Sequence, residues 1–316
     1  MTASDASLVR EALAQYGLGG AQAQLLRHNE NLTYRIDADA GRYVLRIRKP
    51  VPGFSLSTMD ADATPLALAQ SEAALLAHLS QRSELAVQTP RPTLAGTLTC
   101  VLSGGYSASL LSWLDGATPD KAQWETMAGD LGEMAARLHR ACEGFGGARY
   151  RYSHRLISNL QTELATAHER AHLSAGQLSV CLSALSAIDR IMTRLDGEPR
   201  STALLHADLS PGNVVLMDGG TLAPIDFSLS GYGYRAQECG MLATQFRSRS
   251  ACEELRLSYE RVSGCRIRPE EQDAFAALSV LLFAAAQHNR FAGEAWFQTS
   301  LDAWCSGCFV SDHWGA

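Results

Sequence analysis

Residues 206–228, HADLSPGNVVLMDGGTLAPIDFS, constrain this chain more than any other stretch. Val214, Val215 and Leu216, then Ala223 and Ile225, read as two short buried strands, and Asp218-Gly219-Gly220 supplies the tight turn between them. Asp208 and Asn213 precede this hairpin and Asp226 closes it. Carboxylates set against buried strands are costly unless something cationic receives them. The pattern therefore asks for a positive partner shared by the two ends of the hairpin.

The rest of the chain bounds the fold in which that happens. Its 316 residues exceed the usual span of one hydrophobic core, which favours two unequal lobes. A net charge of -6, without any Lys/Arg-rich run, argues against nucleic acid as a partner. The start, MTASDASLVREALAQYGL, has neither the basic region nor the continuous apolar run of a secretory signal. The longest apolar stretch, LSVLLFAAA at 278–286, is too short to cross a bilayer. The expectation is a soluble, cytoplasmic chain with no membrane partner. Eight cysteines lie scattered without the spacing of a disulfide framework, which fits reduced thiols. Cys305 and Cys308 form a C-x-x-C, but no second pair or nearby His completes a zinc site, so they read as structural.

Residues 22–103 read mostly as short strands broken by turns, whereas the chain after 120 reads mostly as helix. QAQLLRHNENLTYRIDADAGRYVLRIRKP gives three antiparallel strands, turning at Asn29-Glu30-Asn31 and again at 37–41. TPLALAQSEAALLAHLSQ gives a helix packed on the sheet. Thr64 is its cap, Pro65 its first residue, and Leu68, Leu75, Leu76 and Leu79 its apolar face. LTCVLSGGYSASLLSWLDG reads as a hairpin turning at Gly104-Gly105 and running out into a connector near Trp113 to Gly116. Beyond it WETMAGDLGEMAARLHRAC is an amphipathic helix, and further helices are expected around 156–172, 176–195, 237–261 and 270–290. The predicted fold class is α+β. A small antiparallel-sheet lobe with one helix spans residues 1–114, and a larger, mainly helical lobe spans 115–316.

His206-Ala207-Asp208-Leu209, followed by Asn213, resembles the catalytic loop H-R-D-L-x-x-x-N of protein kinases, and Ile225-Asp226-Phe227 follows as D-F-G does. The resemblance implies Asp208 facing the acceptor hydroxyl, with Asn213 and Asp226 converging on Mg²⁺ that bridges the nucleotide phosphates. Two protein ligands suffice for a hard ion that favours oxygen and keeps several waters. His206 reads as a residue that packs and orients the loop. A kinase also needs a cation on the α- or β-phosphate, held by a helix carboxylate, and YVLRIRKP offers Arg46, Arg48 and Lys49. Side chains two apart share a face of a strand. The kinase motif V-A-I-K then maps Val44 over adenine and Arg46 at the phosphates, while Lys49 points away and Tyr43, Leu45 and Ile47 pack the other side. Glu72, in the middle of the predicted helix's apolar face, needs a partner there, and Arg46 is the natural one.

The order N-E-N-x-T-Y-R, Y-V-L-R-I, S-E-x-x-L-L, W-L-D-G, L-x-x-L-H-R, H-A-D-L-S-P-G-N and I-D-F runs from about Gln22 to Gly240. It resembles the aminoglycoside phosphotransferase and type II homoserine kinase-like superfamily, which also holds choline kinases and a bacterial stress-response protein kinase. The resemblance implies a bilobal protein-kinase-like fold with ATP, sometimes GTP, clamped between the lobes. Adenine would bond the connector backbone near Ser112 to Leu114, and the γ-phosphoryl group would pass to the hydroxyl of a small molecule. Asn29 and Asn31 stand where a protein kinase covers the phosphates with glycines, and the amides of a tight turn can serve instead. Three departures stand out: Arg46 for the usual lysine, Ser228 for the D-F-G glycine, and Glu238-Cys239-Gly240 where relatives often have Asp-Leu-Ala. No A-P-E follows Asp226, which favours small molecules over proteins. A stress-type protein kinase and a nucleotide-binding module without catalysis are the rival readings. For the acceptor, Glu253, Glu254, Glu270, Glu271 and Asp273 offer an attraction for a cation, and Trp296, Trp304 and Trp314 offer an aromatic cage; solvated faces and packing are the plainer readings of both sets.

Overall fold

The computed structural model describes residues 4–82 and 85–315, so the outermost residues of the two expected lobes, 1–3 and 316, lie outside the described residues. Helix α1 (Asp5–Gln15) comes first, with Ser4 Oγ accepting from the Ser7 N–H at 3.2 Å as its cap. Strands β1 (Gln22–His28), β2 (Leu32–Ala38) and β3 (Gly41–Ile47) form the expected antiparallel meander. Helix α2 (Pro65–Arg82), strands β4 (Pro90–Arg91) and β5 (Cys100–Val101), and strand β6 (Ser107–Ser112) follow. The sheet order is β1-β2-β3-β6-β4, with β5 on β6. Between β5 and β6, Gly104 and Gly105 adopt φ of 78° and 79°, left-handed backbone that costs glycine nothing.

Alternation along β3 divides it between two cores. Leu45 and Ile47 are fully buried with Leu32 and Ile36 of β2, against Leu8, Ala12 and Leu13 of α1. Val44 faces the opposite side, toward Leu75, Leu76 and Leu79 of α2. Thr64 caps α2 as its sequence requires, its Oγ1 accepting from the Ala67 N–H at 3.2 Å. The sheet region thus carries two helices, where one was expected. The apolar stripe of α1 is only Leu8, Val9, Ala12 and Leu13, and it finds its partner on the far face of the sheet.

The remainder is mainly helical. Strand β7 (Gly116–Ala117) leads to α3 (Lys121–Thr126), α4 (Ala128–Ala141), β8 (Tyr150–Arg151), α5 (His154–Glu169) and α6 (Ala175–Asp196). Strands β9 (Thr202–Leu205), β10 (Val214–Met217), β11 (Leu222–Pro224) and β12 (Gly231–Tyr234) come next, then α7 (Arg235–Ala243), α8 (Arg249–Ser263), α9 (Pro269–Phe291) and α10 (Ala295–Ser306). Two small sheets, β11-β10-β7 and β8-β12-β9, are set among these helices. The expected helix over 237–261 is two helices, because the Ser248 Oγ accepts from the Ala251 N–H and starts a new one. The amphipathic stretch from Trp124 also divides, at Met127. No helix among the described residues is long and apolar enough to cross a membrane, and the eight cysteines are free.

A buried arginine ties the two regions together. Arg149 donates from Nη1 to the Leu68 carbonyl of α2 at 2.9 Å and from Nε to Ser230 at 3.0 Å. Its Nη2 reaches the carbonyls of Phe227 at 2.6 Å and Ser228 at 2.9 Å. Burial pushes this guanidinium's pKa down, and Glu72 offsets part of that.

Candidate functional site

The hairpin predicted from the sequence sets the geometry. Val214 pairs with Pro224, Val215 with Ala223 and Leu216 with Leu222, and Gly219 and Gly220 make the turn at φ of 84° and 83°. At its open end the Ile225 N–H donates to the Asn213 carbonyl at 2.9 Å, which sets Asn213 and Asp226 side by side. Asn213 Nδ2 then reaches back to Asp208, donating to its carbonyl at 2.9 Å and to Oδ2 at 2.7 Å. All three residues picked from the sequence therefore meet. Asp226 itself holds left-handed backbone, φ 68°, uncommon for a residue with a side chain and concentrated at functional sites.

The loop before the hairpin is fixed from beneath. Fully buried Glu238 accepts from the His206 N–H at 2.6 Å and the Ala207 N–H at 3.0 Å, and pairs with His139 Nε2 at 3.2 Å. Burial works against its charge, yet His139 and His206 outweigh it and lower the pKa. This positioning residue showed in the sequence only as a departure from Asp-Leu-Ala. His206 orients the loop as expected, with Nε2 3.0 Å from the Ile225 carbonyl and its ring 4.6 Å from that of Phe227.

Cations line the opposite wall. Arg46 Nη1 donates to Glu72 Oε1 and its Nη2 to Asp226 Oδ1, both at 2.5 Å. Glu72 is buried, and its other oxygen accepts from Arg48 at 2.5 Å, a second partner that strand alternation permits and the motif does not announce. Arg48 also approaches Glu30, which accepts from the Ser228 hydroxyl at 2.6 Å. The serine in the D-F-G glycine position thus has a partner on the sheet. Arg27, which no motif singled out, donates to Asn213 Oδ1 at 3.2 Å and forms a salt bridge with Asp226 Oδ2. Burial would raise the Asp226 pKa, but Arg46 and Arg27 hold it down at about 2. Asp208 has no such pair: burial, with the charges of Asp226 and Glu30, pushes its pKa up to about 8.

Two cavities meet at these groups. The smaller, about 270 Å³, is walled by Val44, Trp113, Leu114, Val215 and Ile225, and ends at Arg27, Arg46 and Asp226. The larger, about 570 Å³, contains Asp208, Asn213 and Asp226 at one end. Its walls are Phe54, Leu56 and Met59 from the segment before α2, Met241 of α7, Leu282, Phe283 and Phe291 of α9, and Trp296 of α10. Val44 and Leu114 thus line the smaller cavity. Ser112 is set back from it, its N–H donating to Thr89 O at 2.8 Å and its carbonyl accepting from Gln88 Nε2 at 3.2 Å. Asn29 and Asn31 line the larger cavity instead, in a turn closed by Asn29 N–H donating to Asn31 O at 3.3 Å.

The acidic residues offered for an acceptor lie elsewhere. Asp273 is paired with Arg249 at 2.7 Å, Glu271 with Arg194 at 2.9 Å, and Glu253 and Glu254 edge a separate surface depression beside α4. Glu270 lines another shallow site, with Arg194 and Trp314. Of the three tryptophans only Trp296 reaches the large cavity; Trp304 and Trp314 pack against the helical core, so no three-sided cage forms.

The model of the phosphotransferase enzyme family matches residues 22–275. Among solved structures, a microcompartment-associated aminopropanol kinase superposes with a TM-score of 0.74 at 20% identity, covering 98% of this chain and 97% of that one. An amicoumacin kinase in complex with AMP-PNP, Ca²⁺ and Ami gives 0.72 at 17%, covering 97% and 93%. A choline/ethanolamine kinase family protein from Mesorhizobium loti gives 0.62 at 18%, covering 97% and 95%. No curated protein matches the sequence.

Proposed function

The chain belongs to the phosphotransferase enzyme family, and from that premise we propose that it transfers the γ-phosphoryl group of ATP, or GTP, to a hydroxyl of a small molecule with an apolar body. One observation carries this: Asp226 lines both cavities and Asp208 and Asn213 stand beside it in the larger one, so a donor held in one and an acceptor held in the other would meet at this cluster. Adenine would lie between Val44 and Val215, along the connector at Leu114, between lobes of residues 1–114 and 115–316.

The donor set fits a hard divalent ion. Asn213 Oδ1 and Asp226 Oδ2 are both oxygens and both already face one cation, the Arg27 guanidinium. Mg²⁺ bound there would neutralise charge on the β- and γ-phosphates. Arg46, fixed by Glu72, would supply the second positive charge, and its planar fork suits two phosphate oxygens. Asp208 Oδ2, oriented by Asn213, would accept the hydroxyl proton as the new O–P bond forms and the bond to the leaving diphosphate breaks.

The acceptor class follows from the larger cavity. Phe283 and Trp296 belong to the small set of large hydrophobic side chains left exposed, at 40% and 46%, and both line it. Two of the three carboxylates at its inner end are already engaged, Glu30 by Arg48 and Ser228 and Asp226 by Arg27 and Arg46, which leaves Asp208, the proposed base, as the one without a cationic partner. Arg290 stands at the same wall, its guanidinium 4.7 Å from the Phe291 ring. A polycation finds little to pair with here. The test is ADP release with a panel of aminoglycosides, amino alcohols, homoserine, sugars and antibiotics with aromatic or alkyl bodies, with Asp208→Asn as the control. The last group is expected to lead. A polycationic aminoglycoside as the best acceptor would overturn the class, and an unchanged rate in the control would overturn the reaction.

A further inference from the structure

Arg27 is the basic residue of this site that no kinase motif accounts for, and its place depends on a flaw in the strand. Leu25 pairs with Tyr34, but Arg27 pairs with Thr33, so β1 carries an extra residue at Leu26. A bulge of this kind re-aims every side chain beyond it. In unbroken register Arg27 would stand beside Leu32, which is fully buried in the core under α1. With the bulge it joins a row across the sheet, Arg27 beside Thr33 and Thr33 beside Arg46. Two guanidiniums are thereby delivered to one carboxylate, Arg46 to Asp226 Oδ1 and Arg27 to Asp226 Oδ2.

The two are not held alike. The Arg46 side chain is 8% exposed and locked by Glu72, whereas that of Arg27 is 36% exposed, its acidic partner being Asp226. Arg27 also grips both oxygens assigned above to the metal, through Asn213 Oδ1 and Asp226 Oδ2. It borders both cavities and so stands where donor and acceptor would meet.

We propose that Arg27 is an exchangeable stand-in cation. It keeps the amide and carboxylate oxygens converged while the metal is away, and surrenders them when the metal arrives with nucleotide. Released, it remains anchored on β1 with its fork free for phosphate oxygens, for which a guanidinium is well matched. It is a positioning residue, and the assignment rests on the metal site proposed above.

Competition predicts a sign that mere loss of structure would not produce: removing Arg27 should tighten the nucleotide-free site for a divalent ion. The experiment titrates the full-length protein with Mn²⁺, reading free ion by paramagnetic resonance, for wild type, Arg27→Met, Arg27→Lys and Arg27→Met/Asp226→Ala. Arg27→Met should bind roughly tenfold more tightly than wild type, about what one charge-assisted hydrogen bond supplies. Arg27→Lys keeps the charge and the fold but loses the fork, and should fall between them. In a second measurement, calorimetry with Mg²⁺ and a non-hydrolysable ATP analogue, Arg27→Met should bind the loaded nucleotide more weakly. Equal or weaker Mn²⁺ binding by both single variants would overturn the stand-in role while leaving the metal site standing. Mn²⁺ binding that survives Asp226→Ala undiminished would instead overturn the metal site itself.

Discussion

The two cavities that meet at Asp226 are built on opposite plans. Where they join, the charged groups are paired, crossed and mostly buried: Arg46 and Arg48 share Glu72, Arg46 and Arg27 share Asp226, and Glu30 joins Arg48 to Ser228. Farther along the larger cavity, apolar side chains from α7, α9, α10 and the segment before α2 form the walls. Transferring a phosphoryl group places the same demand on every member of such a family, namely positive charge at fixed points. Recognising an acceptor places a different demand on each. On the proposed reading, an ionic lattice beside an apolar wall would separate phosphoryl transfer from the choice of acceptor.

The comparison breaks most severely at the base. Asp208→Asn should keep nucleotide affinity, measured by calorimetry, and lose about 10²- to 10⁴-fold in turnover. Turnover close to wild type would mean that the proton leaves by another route. Next comes the lattice. Glu72→Gln leaves Arg46 and Arg48 buried without their shared carboxylate and should cost on the order of 3–5 kcal/mol in denaturant unfolding. An effect below about 1 kcal/mol, the worth of an exposed pair, would show that the lattice is looser than its burial implies. The acceptor wall should respond in the opposite way. Trp296→Ala, at a half-exposed position, should leave folding and the KM for ATP alone while raising the acceptor KM by about 10- to 100-fold, the scale of 1–3 kcal/mol of apolar contact. A fall in kcat instead would tie this wall to the chemistry.

A further contrast shows in pH. Without metal or nucleotide the Asp208 carboxyl has its pKa at about 8 in the folded chain, against about 3.9 when unfolded. The folded state then holds the extra proton between those values, so this group's contribution to stability declines as pH rises from about 4 to about 8. Asp208→Asn lacks that dependence. Its melting temperature should gain on wild type from pH 5 to pH 8, and parallel profiles would show that Asp208 is already ionised. Asp226 runs the other way: its depressed pKa adds stability above about pH 4 that is lost as pH falls toward 2.

What the sequence disclosed follows the same division. The hairpin, its turn and the meeting of Asp208, Asn213 and Asp226 were legible because they lie within twenty-odd residues and are joined by local hydrogen bonds. The Arg46–Glu72 pair was legible too, since strand periodicity sets Arg46 beside Val44 and helix periodicity sets Glu72 on the apolar face, although Arg48, on the same strand face, proves to share Glu72. Arg27 was not, because a bulge at Leu26, beside a second exposed leucine, leaves no trace in an alternating pattern. At Ser112, named with Leu114 for the connector, the backbone pairs with Thr89 and Gln88, partners that the sequence did not suggest. Of the wall of the larger cavity only Trp296 was named from the sequence, because Phe54, Met241 and Phe283 come from separate segments whose neighbourhood only the folded chain defines. Helix α10, which supplies Trp296, was not among the expected helices, the last of which ended near residue 290.

Arg149 constrains how the two regions are joined. Because its guanidinium holds the carbonyls of Leu68 in α2 and of Phe227, Ser228 and Ser230 in one grip, helix and loop share a single staple. The segment after Asp226 cannot shift against α2 without leaving buried donors and acceptors unpaired.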